Sequence, residues 1–182
     1  MPKIVDHDKR RADILEQCFS LFAEQGYAAL TMRGIARALG VSTGTLYYYF
    51  ASKEAIFESM FRRLATANVQ AVLADLPADA TLQDRIINLH RFLHNDADAL
   101  QQAIAVALEY RRLHTGPDAD AVLQELLTVY RDTIAEQMNL TDPAQAAVAL
   151  SMLLGMLVQR RLDPDSVDMG AHMAGLGGVL GL

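Results

Sequence analysis

Gly40-Val41-Ser42-Thr43-Gly44-Thr45-Leu46-Tyr47-Tyr48-Tyr49-Phe50 is the stretch on which the reading of this chain turns. A glycine able to close one helix stands two residues before a serine able to cap the next, and three adjacent tyrosines follow. Successive residues of a helix point about 100° apart, so three in a row cannot all face a core. At least one tyrosine, and more naturally two, must be exposed, and an exposed tyrosine row needs a partner. DNA suits it. Tyr and Thr hydroxyls donate to phosphate oxygens, N–H groups at a helix start do the same, and ring faces can touch thymine methyls. A groove of the same molecule is the alternative partner; the turn at Gly40 favours DNA.

Working outward, Thr31 is a good N-cap for a short helix carrying Ile35, Ala36 and Leu39, with Gly40 closing it and Val41 expected to plug the core behind. Ser42 then caps a third helix, Thr43 to about Tyr49. Short helix, glycine turn, short helix, with the small Ala36 where the two approach, is the sequence form of a helix-turn-helix. Upstream, Ile14, Leu15, Cys18, Phe19, Leu21 and Phe22 recur at spacings of three and four between Lys9 and Gln25, one helical face that Gly26 ends before Tyr27 leads into a link. Downstream, Ser52 with Glu54 and Glu58 opens a fourth helix through Phe57, Met60, Phe61 and Leu64.

Beyond Pro77 every stretch reads as helix: Leu82 to about His94, Ala97 to His114, Ala119 to Asn139, Pro143 to Leu162, and Asp165 to the end. Pro77, Thr115-Gly116-Pro117-Asp118, Thr141-Asp142-Pro143 and Asp163-Pro164-Asp165 supply the breaks. No strand alternation competes and no repeat is visible, although the glycine-rich last dozen residues are expected to fray. The expected fold is all-α, about nine helices, with a helix-turn-helix domain over residues 1–51 and a helical body over 52–182; the fourth helix, 52–75, links them.

Composition sets the limits. The chain has 182 residues, 52% of them hydrophobic and 21% charged, which favours a folded globule. No early run of about 18 uncharged apolar residues suggests a membrane span, and Met1 to Asp8 lacks the apolar core of a signal peptide, so a cytoplasmic protein is expected. Cys18 has no second cysteine to pair with and falls where a helix would bury it. The net charge of −6 looks wrong for a DNA-binding protein, but it is unevenly spread. Residues 1–63 hold 9 Lys+Arg and 7 Asp+Glu, or +2, and the remainder holds 7 and 15, or −8. Only the first part tolerates a phosphate backbone, and DNA repels the rest.

With Ile14-Leu15, Phe22-x-x-x-Gly26-Tyr27, Thr31-Met32-Arg33-x-Ile35-Ala36, Leu39-Gly40-Val41-Ser42, Gly44 through Phe50, and Lys53-Glu54, residues 11–64 resemble the DNA-binding domain of the tetracycline-repressor (TetR) family of bacterial regulators. The resemblance implies a three-helix head, a linking helix, and a helical body that binds a small molecule and dimerises through its last two helices. Position by position, it implies that Thr43, Gly44 and Tyr48 face the major groove, that Thr45, Tyr47 and Tyr49 hold phosphates or support the helix, and that Leu46 and Phe50 are core. Arg33 matches a base or phosphate contact, and Lys53 a backbone contact at the start of the fourth helix. Lys9, Arg10 and Arg11 form a basic arm that either reaches phosphates or is simply solvated. The recognition segment has no Arg, Asn or Gln for a bidentate base contact, which leaves methyl contacts, Arg33 and DNA shape to supply specificity.

In the body, Pro143 to Leu162 is apolar on nearly every side, and the last segment, with Met169, Met173, Leu176, Val179 and Leu180, is similar and rich in small residues. Two such helices per chain suit a homodimer reading a palindromic operator, against the alternative of a central core helix in a monomer. A pocket for an apolar effector is expected between Leu82 and Tyr130, with His90, His94, Glu109, Tyr110 and Arg111 as its polar groups. His90 and His94 lie four apart and could ligate a metal, but packing is the simpler role; no metal or cofactor is expected. An enzyme is not expected either, since none of the glutamates at 16, 24, 54, 58, 109, 125 and 136 has the His three residues on that di-metal bundles use. The rival is a helical small-molecule carrier or protein-docking adaptor that uses the tyrosine row without DNA.

Overall fold

The computed structural model describes residues 6–74 and 76–180, and at residues 118, 119, 166, 179 and 180 the backbone alone. The described residues form nine α-helices, one 3-10 turn and no strand: α1 (His7–Gln25), α2 (Met32–Ala38), α3 (Thr43–Tyr49), α4 (Lys53–Leu73), α5 (Leu82–Asn95), α6 (Ala97–Leu113), α7 (Pro117–Gln137), α8 (Pro143–Leu162), the turn Pro164–Ser166, and α9 (Met169–Leu180). None of these helices is long and apolar enough to cross a membrane.

Most boundaries have a chemical cause. Asp6 accepts the Lys9 N–H at the start of α1, and Gly26 ends that helix at φ +79°, where a side chain would be strained. Thr81 and Asp84 form a reciprocal capping box on α5. Pro117 opens α7 two residues earlier than expected, because proline's missing N–H costs nothing at a first helical position. The last helix starts later than expected, at Met169 rather than Asp165: Pro164–Ser166 winds a 3-10 turn, and Asp168 Oδ1 accepts the Ala171 N–H at 3.0 Å. The end of that expected helix, residues 181 and 182, lies outside the described residues.

The helices divide into two compact units. One holds the residues up to 64 together with 105–122. Its core takes Ile14, Leu15, Cys18 and Phe22 from α1, Ile35 and Ala36 from α2, Leu46 from α3, and Ile56, Phe57, Met60 and Phe61 from α4, with Tyr27, Leu30, Phe50 and Tyr110 closing it. Cys18 is wholly inside, and burial pushes its thiol up to about 12, so it is an inert core residue.

The other unit holds residues 65–104 and 123–182. Leu89 and Leu93 of α5, Ile134 of α7, Leu153, Met156 and Leu157 of α8, and Met173 and Leu176 of α9 form its core. Buried polar groups are matched: Asn88 donates to the Val72 carbonyl and accepts from Arg91, and Arg85 reaches Gln137 Oε1 at 2.6 Å. Only one face of α8 is used. Ala144, Val148, Ser151, Gly155, Val158 and Leu162, alternately four and three residues apart, stand exposed on this chain, Leu162 at 80%.

Candidate nucleic-acid interface

The helix-turn-helix is built from local caps. Thr31 Oγ1 accepts the Gly34 N–H at 3.1 Å and starts α2. Leu39 ends it, and Gly40 then turns the chain at φ +66° while the Val41 N–H returns to the Ala36 carbonyl at 3.0 Å. Space does not require this glycine, since a Cβ there would meet nothing within 4 Å; the left-handed backbone does. Ser42 Oγ accepts the Thr45 N–H at 2.9 Å and meets the Thr45 hydroxyl at 2.8 Å, so Thr45 completes the cap of α3. Val41, expected to be a buried plug, is only half-buried; Leu46 and Phe50 take the core positions of this segment.

With Leu46 turned inward, Tyr47 (53% exposed) and Tyr48 (71%) turn outward. Gly44 is exposed beside them, and a Cβ on it would approach nothing closer than Ser42 Oγ at 3.7 Å, so the protein's own packing gives no reason for a glycine there. Tyr48 and Tyr49 pack edge to face, ring centroids 5.0 Å apart. His7, at the start of α1, joins them: its ring lies 5.8 Å from Tyr48 and 6.2 Å from Tyr49, and its Nδ1 is 3.3 Å from the Tyr49 hydroxyl. Sequence reading missed His7, because nothing near it in the chain signals a contact with residues 48 and 49. Arg33 on α2 is exposed, as is Arg37 one turn on, also missed although it shares the face of Arg33.

Two basic residues have internal duties instead. Arg11, expected in a basic arm, donates to Ser59 Oγ at 2.9 Å and lies over the Phe50 ring at 4.9 Å. Lys53, expected to meet the DNA backbone, directs its ammonium inward: Nζ donates to the carbonyls of Tyr27 and Leu30, both at 2.9 Å, and sits 3.9 Å from the Tyr27 ring centroid. Burial lowers its pKa, against the opposing pull of Glu54 and Glu109. Carbonyls from the start and the end of the α1–α2 link both accept from this cation, which makes Lys53 a tie within the head.

Three of the five expected pocket residues also belong here. Glu109 accepts the backbone N–H groups of Tyr27 (2.6 Å) and Ala28 (3.2 Å), Tyr110 is buried with its ring stacked 3.8 Å from Phe57, and Arg111 pairs with Asp120 at 2.8 Å. None of them lines the cavity described below. Tyr27 donates its hydroxyl to Glu54 Oε1 at 2.9 Å. Although burial would raise the Glu54 pKa, hydrogen bonds from its own backbone, Ser52 and Tyr27, with His114 nearby, hold the carboxyl below its ordinary value. Burial first, and then the bond to Glu54, push the Tyr27 phenol far up.

Within the second unit, α5 and α9 border a cavity of about 570 Å³, in the range of small-molecule sites. Leu82, Ile86, Ile87, Met173 and Ala174 make it apolar, Gly170 and Gly177 leave it room, and His90 is its titratable group. His90 was expected at the pocket; His94 is exposed, its ring 6.3 Å from that of His90, and does not line it. Among the described residues no group of three His, Cys, Asp or Glu side chains could hold a metal ion.

The family model for bacterial regulatory proteins of the tetR family matches residues 14–60, which run from the first core position of α1 into α4. Over 180 residues the chain is 32% identical to the HTH-type transcriptional regulator PksA of Bacillus subtilis, covering 92% of this chain and 86% of that one. It is 29% identical to the HTH-type transcriptional repressor Rv1474c of Mycobacterium tuberculosis, over 84% of this chain and 96% of that one. Among solved structures, a transcriptional regulator from Saccharomonospora viridis in complex with choline has the same fold, with a TM-score of 0.70 over 94% of this chain and 95% of that one at 19% identity.

Proposed function

This chain belongs to the tetracycline-repressor family of bacterial regulatory proteins, a helix-turn-helix regulator of transcription and not an enzyme, and from that premise we propose that it is a cytoplasmic repressor that grips a palindromic operator as a homodimer and releases it when a small molecule binds. Residues 1–51 form the DNA-binding domain and 52–182 the ligand-binding and dimerising body, with α4 as the link. The observation that carries this is the outer face of α3: Tyr47 and Tyr48 exposed beside an exposed glycine for which the interior has no use. A backbone without a side chain can come close to a duplex. Thr43, Gly44 and Tyr48 read the major groove, Thr45, Tyr47 and Tyr49 hold phosphates or brace the helix, and Arg33 adds a base or phosphate contact. Lys53 contributes through the link it ties down.

The exposed small and apolar face of α8, with Gly155 at its middle, supports pairing with a second copy, joined by the small residues Ala171, Gly175 and Gly178 of α9. The side chains of Val179 and Leu180, also expected there, lie outside the described residues. For the effector, the α5–α9 cavity supports an apolar small molecule with one group that hydrogen-bonds His90. An effector that favours one separation of the two heads over another by about 1–3 kcal/mol is enough to release DNA.

Selection from a randomised duplex library tests the proposal. The native protein should enrich a palindrome and bind it with an affinity that falls steeply as salt rises. Salt-indifferent binding of proteins or small molecules, with no duplex enriched, would instead favour an adaptor or carrier.

A further inference from the structure

The link between α1 and α2 is held from outside itself at every polar group of Tyr27. Its N–H donates to Glu109 on α6, its carbonyl accepts from Lys53 on α4, and its hydroxyl donates to Glu54 on α4. Tyr27 is buried, so an N–H without a partner there would be costly, and the partner comes from 82 residues along the chain. The same carboxylate takes the Ala28 N–H with its other oxygen. The approach is tight: a Cβ on Gly26 would lie 2.9 Å from Glu109 Oε2. Lys53 also holds the carbonyl of Leu30, the residue before the Thr31 cap of α2. Any shift of the link is thereby passed to the first turn of α2, and α2 packs on α3.

We propose that Glu109 is a positioning residue for DNA reading: its carboxylate fixes the link at Tyr27 and Ala28 and so sets where α2 and α3 present their outer faces. This rests on the DNA-binding function proposed above. A bond to a carboxylate through two backbone N–H groups is directional, and an amide in its place can accept only one of them, since its NH2 would face the other donor. Base reading by α3 needs the helix held to a fraction of an ångström, whereas contact with phosphates at large does not.

Glu109→Gln and Glu109→Asp test this, with two probes: the duplex that the native protein enriches from a randomised library, and mixed-sequence genomic DNA. Glu109→Gln should lose about tenfold in affinity for the enriched duplex, equivalent to roughly 1.4 kcal/mol, with binding to mixed-sequence DNA unchanged. Hydrogen exchange at the Tyr27 and Ala28 amides should quicken. Glu109→Asp, which keeps both oxygens, should retain more of the specificity ratio than Glu109→Gln. Equal losses on both probes, or an unchanged ratio in both variants, would reduce Glu109 to a stabilising cap and overturn the inference. A native protein that enriches no duplex overturns the DNA-binding proposal and this inference with it.

Discussion

The His7 ring lies 5.8 Å from that of Tyr48, tilted by 48°, so the first turn of α1 and the most exposed tyrosine of α3 share one aromatic cluster. His7 is itself exposed and adds little to the core. Its contacts are with the rings of Tyr48 and Tyr49 and with the Tyr49 hydroxyl. His7→Ala should leave thermal unfolding almost unchanged while weakening operator binding by about 1 kcal/mol, near the value of one aromatic pair. Fluorescence anisotropy with the enriched duplex measures this; an unaltered affinity would mean the cluster is incidental.

Gly44 separates stability from recognition. Its surroundings accept a Cβ without a close contact, and alanine is the better helix former by about 0.5–1 kcal/mol. Gly44→Ala should therefore raise the midpoint of unfolding and still lower DNA affinity, because the methyl group stands where the backbone meets the duplex. A variant that gains stability and keeps full affinity would take Gly44 out of the interface.

Val148 and Val158 are 43% and 40% exposed on the outer stripe of α8, so charge there barely disturbs the fold of one chain. Val148→Glu with Val158→Glu would place four like charges across the interface of two copies. In sedimentation equilibrium the native chain should be a dimer and the double variant a monomer with unchanged helicity. A monomeric native chain would contradict the homodimer.

Acid should loosen the head. The Glu54 carboxyl titrates below its ordinary value of 4.5 when folded, so it contributes stability above that pH and loses it as the pH falls through the lower folded value. Thermal unfolding of the native protein should fall off below about pH 4.5, and Glu54→Gln should flatten that part of the curve. Identical profiles would place the acid sensitivity elsewhere.

What could be read from the sequence follows from the range of each interaction. Thr31 and Ser42 cap helices three residues away, Gly26 and Gly40 act through their own backbone, and Leu46 and Phe50 repeat at a helical interval, so α1, α2 and α3 were legible from local chemistry. The Glu109 grip on Tyr27 and the His7 contact with Tyr48 join residues 82 and 41 apart, and no periodicity encodes which helix a given face will meet. The contacts that Glu109, Tyr110 and Arg111 make beside the head, and the two carbonyls that hold Lys53, therefore have no local signature in the sequence. The late start of α9 was hidden for a different reason: Asp165 and Asp168 are equally good caps on paper, and the 3-10 turn after Pro164 decides between them.

A titration of the enriched duplex with native protein and with Tyr48→Ala, at several salt concentrations, tests DNA recognition through α3 most directly. Tyr48 is 71% exposed, so its loss should not unfold the protein. Native affinity should fall steeply with salt, and Tyr48→Ala should bind more weakly by about 1–3 kcal/mol at each concentration. Equal affinity of the two proteins, or binding indifferent to salt, would contradict it.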